Sequence, residues 1–457
     1  MAEAPTIVEA LEFRVALVDP ASYALLVLDT PDGYRLPRVR VPRWLRRAQQ
    51  LQKEIQATWG VRVVILDIVM TDRSSTCYAI AEPLMPVTSS AFKSVVASHL
   101  PPSELSEREC ADLTLLLNGE TKNPFSQLGW IDHAVRWVEA DTSRKVTSRN
   151  EIEQYNAGGA FALVRFPMTD GMGYWLKATG EPNRHEPALT KLLSELGGGY
   201  VPDVIAWRPE WNAVLISGEA GGVGEIPKDP GRAFELLEDA VESMARLQAQ
   251  TEDHDLDLLE AGAFNQGMEV LFRRAPELFD SLEEAMGLQV PVDAPRLDSR
   301  RIHEIRSGFE RICERIQHLG IPETIVHGDM NPGNIITGCG HCQFIDWSEA
   351  YVGNCLVTLQ HLLLLNRVED ADIRDFMNSV LKRRYLDVWR TMYDSAPFEE
   401  GFAYMPLLGA VSALYGRGDW LTSAERNDPS RQLYARTLAF HMDNALCAPQ
   451  LQEALCN

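Results

Sequence analysis

Three polar side chains near residue 330 have the types and the spacing that phosphoryl transfer requires. Asp329 lies in the run His327-Gly-Asp-Met-Asn-Pro-Gly-Asn334, and Asp346 follows in Phe-Ile-Asp-Trp. Such a transfer needs one carboxylate to orient or deprotonate the acceptor hydroxyl, and oxygen ligands to hold Mg²⁺ against the phosphates of ATP. Mg²⁺ prefers hard oxygens and usually keeps several waters, so one amide and one carboxylate suffice. The alternative is an Asp-rich turn with a capping role.

Short apolar runs precede both acidic groups. Residues 324–326 come before the first and residues 343–345 come before the second, and such runs are typical of strand ends. Pro332-Gly333 indicates a turn between the two. We therefore expect both carboxylates to lie on loops that leave rigid strands, where catalytic groups are often found.

The motif His-Gly-Asp-x-x-x-x-Asn, followed by Ile-Asp-Trp, resembles the aminoglycoside phosphotransferase and choline kinase family, small-molecule relatives of the protein kinases. The resemblance covers roughly residues 127–450. It implies that Asp329 is the catalytic base and that Asn334 and Asp346 bind Mg²⁺. His327 would then support the catalytic loop rather than perform chemistry.

The upstream sequence supplies the small lobe that a kinase-like fold needs. Residues 152–166 read as two β-rich runs joined by Gly158-Gly159, and a third run contains Lys177. A glycine hairpin lets backbone N–H groups approach ATP phosphates closely, and a lysine supplies a point charge. The resemblance implies these phosphate-binding roles, while an ordinary hairpin turn and a solvated strand end are the alternatives.

A helix is predicted after this lysine, because residues 186–196 have apolar side chains at helical spacing and end at three glycines. Glu186 would stand at its start and is the candidate ion-pair partner of Lys177, with Glu181 and Glu195 as competitors. Pro187 is tolerated there only in the first helical turn.

The resemblance also places the adenine-binding hinge near Ser217 and Glu219, through backbone groups. Beyond it the chain turns helical, with amphipathic segments at 233–249, 302–318, 372–394, 402–414 and 431–446. Two positions depart from the family pattern. Gln248 stands where a histidine is usual, and residues 353–358 lack the acidic residues often found there.

The first 125 residues lie outside the kinase resemblance. Apolar runs at 13–18, 24–29 and 61–66 predict strands, residues 42–58 predict a helix, and their order resembles a Nudix domain. Nudix hydrolases bind Mg²⁺ through the glutamates of a helix of the type Arg-Glu-x-x-Glu-Glu-x-Gly. The positions that correspond to its arginine and three glutamates here are Lys53, Glu54, Ala57 and Thr58. Alanine and threonine cannot replace a carboxylate charge. We therefore expect a Nudix-like accessory domain that binds a ligand or braces the kinase-like part, without pyrophosphohydrolase activity.

Two further clusters have both a functional and a structural interpretation. A basic run, which could contact a nucleotide or an acidic partner or form a solvated helix start, comprises Arg35, Arg38, Arg40, Arg43, Arg46 and Arg47. Cys339-Gly-His-Cys342 could be a redox pair or half a zinc site. Its position between two predicted strands, and the absence of a second Cys-x-x-Cys, favour hairpin cysteines without a catalytic role.

Composition limits the remaining possibilities. The chain has 457 residues, a net charge of −22 at pH 7 and eight cysteines without a disulfide-framework pattern. We expect a cytoplasmic protein with no membrane span and no signal peptide. The negative charge disfavours nucleic acid and anionic membranes as partners, and it is compatible with a cationic substrate.

Together these observations predict an α+β chain: a bilobal protein-kinase-like phosphotransferase fold with an additional N-terminal α/β, Nudix-like domain. The expected domains are 1–125 (accessory), 126–222 (small lobe, nucleotide binding) and 223–457 (helical large lobe). The expected activity is transfer of the γ-phosphate of ATP, with Mg²⁺, to a hydroxyl of a small molecule. A non-catalytic nucleotide-binding scaffold and a Nudix-type hydrolase remain alternatives, and the sequence names neither the acceptor nor the oligomeric state.

Overall fold

The structure, a computed structural model, describes residues 10–42, 46–69, 76–121, 123–218, 226–287, 296–338, 340–418 and 428–456. These residues divide into two compact units. The first draws on Met1–Pro187 and Asp203–Ala220, and the second on Ala188–Pro202 and Gly221–Asn457. The mixed α+β class is confirmed, whereas the division into three domains stays a prediction.

The first unit is built from two β-sheets and the helices that pack on them. Its helices are α1 (Arg47–Trp59), α2 (Glu107–Leu117) and α3 (Trp130–Thr142), and α4 (Glu186–Leu196) begins in it and continues in the second unit. Its strands are β1 (Ala10–Val18), β2 (Leu25–Thr30), β3 (Gly33–Arg35), β4 (Arg38–Pro42), β5 (Val63–Val69), β6 (Thr76–Pro83), β7 (Phe92–Val95), β8 (Glu153–Asn156), β9 (Phe161–Pro167), β10 (Gly173–Thr179), β11 (Val204–Arg208) and β12 (Ala213–Ser217).

The N-terminal sheet has seven strands in the order β3-β2-β1-β6-β5, with β4 paired to β1 and β7 paired to β2. β1 and β6 are parallel, and the other pairs are antiparallel. Successive strand residues point to opposite faces. Val63 and Ile65 therefore join the cluster that contains Leu51 of α1, while Val64 and Leu66 join a second cluster. The sheet is buried on both faces.

The second sheet has five antiparallel strands in the order β11-β12-β10-β9-β8. Its buried residues, such as Val164 and Leu176, belong to the same hydrophobic cluster as Val64 and Leu66 of the first sheet, and Trp130 of α3 completes it. The two sheets therefore share one core.

The helix α3 is continuous from Trp130 to Thr142. Its buried residues Trp130, Ile131, Ala134, Val135 and Val138 recur at intervals of three and four, which is one helical face rather than the alternation of a strand.

The second unit is mainly helical. Its strands are β13 (Phe264–Gln266), β14 (Glu323–Val326), β15 (Ile335–Gly338), β16 (His341–Phe344) and β17 (Tyr351–Asn354). Its helices are α5 (Pro230–Thr251), α6 (Asp255–Glu260), α7 (Met268–Gly287), α8 (Ser299–Leu319), α9 (Leu356–Leu363), α10 (Ala371–Trp389), α11 (Ser395–Gly401), α12 (Met405–Tyr415), α13 (Pro429–Cys447) and α14 (Pro449–Cys456). A three-stranded sheet has the order β13-β17-β14, and β15 and β16 form a hairpin.

Gln248 on α5 lies at the centre of this unit and is fully buried. Its amide nitrogen donates to the carbonyl oxygens of Ile325 at 3.0 Å and Cys355 at 3.2 Å, and its amide oxygen accepts from the Tyr385 hydroxyl at 2.7 Å. The position where the family usually has histidine thus joins β14, the start of α9 and α10 through one side chain.

The predicted amphipathic helices at 302–318 and 431–446 correspond to α8 and α13, and Trp389 and Tyr404 are buried, as expected of core residues. Trp420 lies outside the described residues. The helix α7 was not predicted, and it contains Pro276 in its interior, where proline normally interrupts a helix. In the part of the chain that the structure describes, no helix combines the length and apolar character needed to cross a bilayer.

Glu82 is a buried carboxyl group at the end of β6, with 1% of its surface exposed. It accepts a hydrogen bond from the backbone N–H of Gly129, which precedes α3, at 2.6 Å. Burial raises the pKa of Glu82 to about 7, although the Gly129 N–H and the Arg149 charge act in the opposite direction. The folded state therefore binds a proton at pH values where the unfolded chain has lost it.

We predict that Glu82→Gln increases the stability of the first unit at high pH. The raised pKa means that the wild-type stability falls as pH rises from about 4.5 to about 7, by up to about 3 kcal/mol at ~1.4 kcal/mol per pKa unit. The neutral amide avoids this loss and still offers an oxygen to Gly129. Denaturant unfolding at pH 5 and pH 8 measures the effect, with the exposed Glu120→Gln as control. An equal difference between Glu82→Gln and wild type at both pH values would contradict it.

Candidate functional site

The candidate catalytic loop starts where β14 ends. His327 follows this strand, is fully buried, and donates a hydrogen bond from its Nε2 to the carbonyl oxygen of Ile345 at 2.9 Å. Its ring also packs on Trp347, with the ring centroids 4.5 Å apart. His327 therefore joins the loop of Asp329 to the segment of Asp346, as a structural residue.

The carboxylate of Asp329 is held by two amide side chains. Asn334 donates to the Asp329 carbonyl oxygen at 2.8 Å and to its Oδ2 at 3.3 Å. Asn331 donates to the same Oδ2 at 3.1 Å, and its own Oδ1 accepts from the Gly333 N–H at 2.9 Å. The sequence prediction did not include Asn331. The signal for it was present, since an asparagine directly before a Pro-Gly turn often bonds the backbone two residues further on.

Asp346 has a left-handed backbone conformation, with φ at +67°. This region is unfavourable for residues with a side chain, and such conformations cluster at functional sites. Its Oδ1 accepts a hydrogen bond from the Ser348 hydroxyl at 3.2 Å.

The side chains of Asn334 and Asp346 fit a Mg²⁺ ion whose remaining ligands are phosphate and water oxygens. Asn334 uses its amide nitrogen toward Asp329, which leaves its amide oxygen as a cation ligand. Within the described ranges, no group of three or more His, Cys, Asp or Glu side chains could hold a metal by itself. Mg²⁺ in proteins commonly takes one or two protein ligands and completes its shell with phosphate and water oxygens.

In the first unit, Lys177 on β10 forms a buried ion pair with Glu186 at the start of α4. The Lys177 Nζ lies 2.5 Å from the Glu186 Oε1, and the two side chains are 12% and 3% exposed. The Nζ also lies 5.1 Å from the centre of the Phe161 ring. The competitors pair elsewhere, Glu181 with Arg184 and Glu195 with Lys191. The role of Lys177 in ATP binding stays a prediction.

The glycine hairpin connects β8 and β9, as predicted. Gly158 has φ at +116°, a conformation that favours glycine, and no atom lies within 4 Å of the position where a Cβ of Gly159 would stand. The open space lets a ligand approach the backbone closely.

Of the two residues predicted for the adenine-binding hinge, the structure describes Ser217. Ser217 ends β12, and its N–H donates to the Asp203 carbonyl oxygen at 3.0 Å, so this N–H is already used. Glu219 lies outside the described residues.

The Cys-x-x-Cys segment coincides with the β15–β16 hairpin. Cys339 lies outside the described residues, and Cys342 is buried on β16, where its N–H donates to the Ser243 hydroxyl at 3.0 Å. Burial raises the pKa of the Cys342 thiol to about 12. Because the thiolate is the reactive and metal-binding form, a structural role follows for Cys342. His341 donates from its ring to the Gly199 carbonyl oxygen at 3.1 Å.

The basic run does not form a single patch. Arg35 pairs with Asp32, Arg38 pairs with Glu104, and the Arg46 guanidinium lies 5.1 Å from the centre of the Tyr155 ring. Arg43 lies outside the described residues. The four positions compared with Nudix ligands lie on α1, where Lys53, Ala57 and Thr58 are exposed.

The segment that lacks the family's acidic residues is braced by an amide. Asn354 is fully buried, and its Oδ1 accepts from the Leu356 N–H, in the first turn of α9, at 3.1 Å. An uncharged side chain, one residue before the N-cap Cys355, thus bonds the first N–H of this helix.

Gly328 allows the loop after β14 to approach the turn before β17. Its φ is +78°, and a Cβ at this position would stand 2.0 Å from the carbonyl oxygen of Glu349. The side chain of Glu349 lies close enough to Asp329 and Asp346 to be affected by both. Its pKa is raised by partial burial and by these two carboxylates, against the lowering effect of Arg417.

Residues 175–394 match the model of a phosphotransferase enzyme family, APH. The matched range contains Lys177, Glu186, Asp329, Asn334 and Asp346, which are the residues whose geometry is described above. The prediction of a phosphotransferase enzyme is confirmed at this level. No curated protein matches the chain.

Solved structures of small-molecule kinases are similar to the chain at low identity. A choline/ethanolamine kinase family protein from Mesorhizobium loti is 15% identical, with a TM-score of 0.45, and the match covers 71% of this chain and 98% of that one. A choline kinase from Cryptosporidium parvum is 11% identical, with a TM-score of 0.45 and coverage of 69% and 95%. A macrolide 2'-phosphotransferase from Brachybacterium faecium is 14% identical, with a TM-score of 0.42 and coverage of 66% and 97%. At these values the similarities support no conclusion about substrate.

We predict that Gly328→Ala destabilises the second unit by more than about 2 kcal/mol, because the new methyl group would overlap the Glu349 carbonyl in addition to the strain of positive φ. Gly340→Ala is the matched control. Its φ is +83° but no atom lies within 4 Å, so only the strain of about 1 kcal/mol remains. Denaturant unfolding of both variants measures the difference. Equal losses would show that the close approach at Gly328 is not required.

Proposed function

We propose that the chain transfers the γ-phosphate of ATP to a hydroxyl group of a small molecule, with Mg²⁺. The observation that carries the proposal is the arrangement of Asp329, which Asn331 and Asn334 hold in one orientation beside a loop that bears a second carboxylate, Asp346. The family match over residues 175–394 supports it independently.

Asp329 is the base in this proposal. Its carboxylate accepts the hydrogen bond of the acceptor hydroxyl and takes its proton as the hydroxyl oxygen bonds to the γ-phosphorus. The bond between that phosphorus and the β,γ-bridging oxygen breaks, which leaves ADP. The amide hydrogen bonds from Asn331 and Asn334 keep Asp329 oriented throughout.

Asn334 and Asp346 would hold Mg²⁺, which would supply positive charge to the phosphates. Lys177 contributes a positive charge to the phosphates, and the buried carboxylate of Glu186 fixes its position. The glycine hairpin offers its backbone to the same phosphates. Gly159, whose Cβ position is open, is the glycine at which the ligand approaches.

The comparison of residues 1–125 with a Nudix domain stays a prediction of fold. We infer an accessory role for this part, because Ala57 and Thr58, both exposed on α1, stand where the resemblance to a Nudix hydrolase implies metal-binding glutamates. Incubating the full chain with nucleoside diphosphate derivatives and Mg²⁺ tests this. Hydrolysis that survives Asp329→Ala would place an activity in the N-terminal part.

The proposal predicts ATP consumption that depends on an acceptor. A panel of aminoglycosides, amino alcohols, sugars and nucleosides is incubated with the full chain, ATP and Mg²⁺. Compounds with an amine are tested first, because the net charge of −22 is compatible with a cationic substrate. Asp329→Ala should lower turnover on the active acceptor by about 10²- to 10⁴-fold, the usual contribution of a general base, while ADP binding persists.

The control is Asp280→Ala, which removes an exposed carboxylate on α7 and should leave turnover unchanged. Near-normal turnover of Asp329→Ala would overturn the assignment of the base. Binding of Mg·ADP without ATP consumption on any acceptor would favour the nucleotide-binding scaffold.

A further inference from the structure

The glycine hairpin is fixed by residues that precede the kinase-like part of the chain. The amide nitrogen of Asn123 donates to the carbonyl oxygen of Gly159 at 3.1 Å. Asn123 is half-buried and stands just before a short 3₁₀ turn, Pro124–Ser126. On the other side, the N–H of Gly180 donates to the carbonyl oxygen of Ala160 at 2.8 Å. Two consecutive carbonyl groups of the hairpin are therefore held.

These contacts leave no room for a side chain at Gly180. A Cβ on Gly180 would stand 2.2 Å from the Gly159 carbonyl oxygen and 2.8 Å from the Oδ1 of Asn123. Gly158 faces the N-terminal sheet, since its Cβ position lies 3.8 Å from the Asp67 Oδ1. The hairpin thus packs between Gly180 on one side and the end of β5 on the other.

The strand that leads into the hairpin is anchored in the same way. Gln154 on β8 is buried, with 1% of its surface exposed. Its side-chain amide donates to the Ile65 carbonyl oxygen and accepts from the Ile65 N–H, both at 2.7 Å. The Gln154 side chain thus bonds both backbone groups of Ile65, as a neighbouring strand would, at the edge strand β5 of the seven-stranded sheet. The Gln154 N–H also donates to the side chain of Gln52 on α1 at 2.9 Å.

We propose that the N-terminal part of the chain holds the glycine hairpin in the conformation that receives nucleotide phosphates, with Asn123 as its positioning residue. This inference rests on the proposed function, and it assigns residues 1–125 a task in nucleotide binding. Glycine-rich backbone loses more conformational freedom on ordering than any other. A hairpin that is already fixed does not lose this freedom when phosphates bind, so affinity is gained through preorganisation.

The effect should appear only with ligands that carry phosphates. Asn123→Ala removes one hydrogen bond to the hairpin, so ADP affinity should fall by about 3- to 10-fold, the range for one such bond. Adenosine affinity should stay unchanged, because the hairpin meets only the phosphates. Isothermal titration of the full chain with Mg·ADP and with adenosine measures both. Hydrogen exchange at residues 157–161 should become faster in the variant.

Asn150→Ala is the matched control. Asn150 is an exposed asparagine in the same unit, and its side chain has no hydrogen bond to the rest of the described chain. It should leave the affinity for both ligands and the exchange rates unchanged.

Gly180→Ala tests the same contact sterically. The φ of Gly180 lies outside the left-handed region, so alanine adds only the overlap with Gly159 and Asn123. We expect Gly180→Ala to lose at least 10-fold in ADP affinity. Gly287→Ala is the control, because the added methyl group meets no atom within 4 Å, and it should leave ADP affinity unchanged. The double variant with Asn123→Ala should lose less than the product of the two single losses, because both act on the Gly159 carbonyl.

The outcomes separate the inference from the proposed function. If the wild-type chain binds Mg·ADP, and Asn123→Ala changes neither ADP affinity nor the hydrogen-exchange rates, the inference alone is overturned. Equal losses of ADP and adenosine affinity also overturn it, since they indicate general damage rather than positioning. Wild-type chain that binds no Mg·ADP overturns the proposed function and the inference together.

Discussion

The buried amide of Gln248 is the interaction on which the helical unit depends. It bonds the carbonyl oxygen of Ile325 on β14 and that of Cys355 before α9, and it accepts from Tyr385 on α10. β14 leads directly into the loop of Asp329. The position of the candidate base is therefore set by a neutral hydrogen-bond network inside the core, where unsatisfied polar groups are costly and geometry is strictly defined.

Neutral amide side chains also position charged or backbone groups elsewhere in the chain. Asn331 and Gln154 use both donor and acceptor atoms, Asn334 acts as a donor, and Asn354 acts as an acceptor. Carboxylates are kept for the positions where charge is needed, at Asp329 and Asp346. In the first unit the charge of Lys177 is balanced by the buried Glu186, and breaking such a pair leaves an uncompensated charge.

Local patterns in the sequence predicted much of this arrangement. The spacing of Asp329, Asn334 and Asp346 and the helix at 186–196 depend on short-range patterns, and the helix is confirmed with these bounds. Gln154 and Glu82 could not be identified in this way, because their partners are remote. Gln154 bonds Ile65 across 89 residues of sequence, and Glu82 bonds Gly129 across 47. The helix α7 was missed because Pro276 reads locally as a break, which tertiary packing overrides.

The shared core of the two sheets has a consequence for how the chain can be divided. Val64 and Leu66 of the N-terminal sheet lie in one hydrophobic cluster with Val164 and Leu176 of the five-stranded sheet. A cut near residue 125 would uncover apolar surface on both fragments, which favours self-association over independent folding. The kinase-like sequence and the folding unit therefore have different boundaries, and the minimal soluble fragment that retains the glycine hairpin begins well before the region that resembles a kinase.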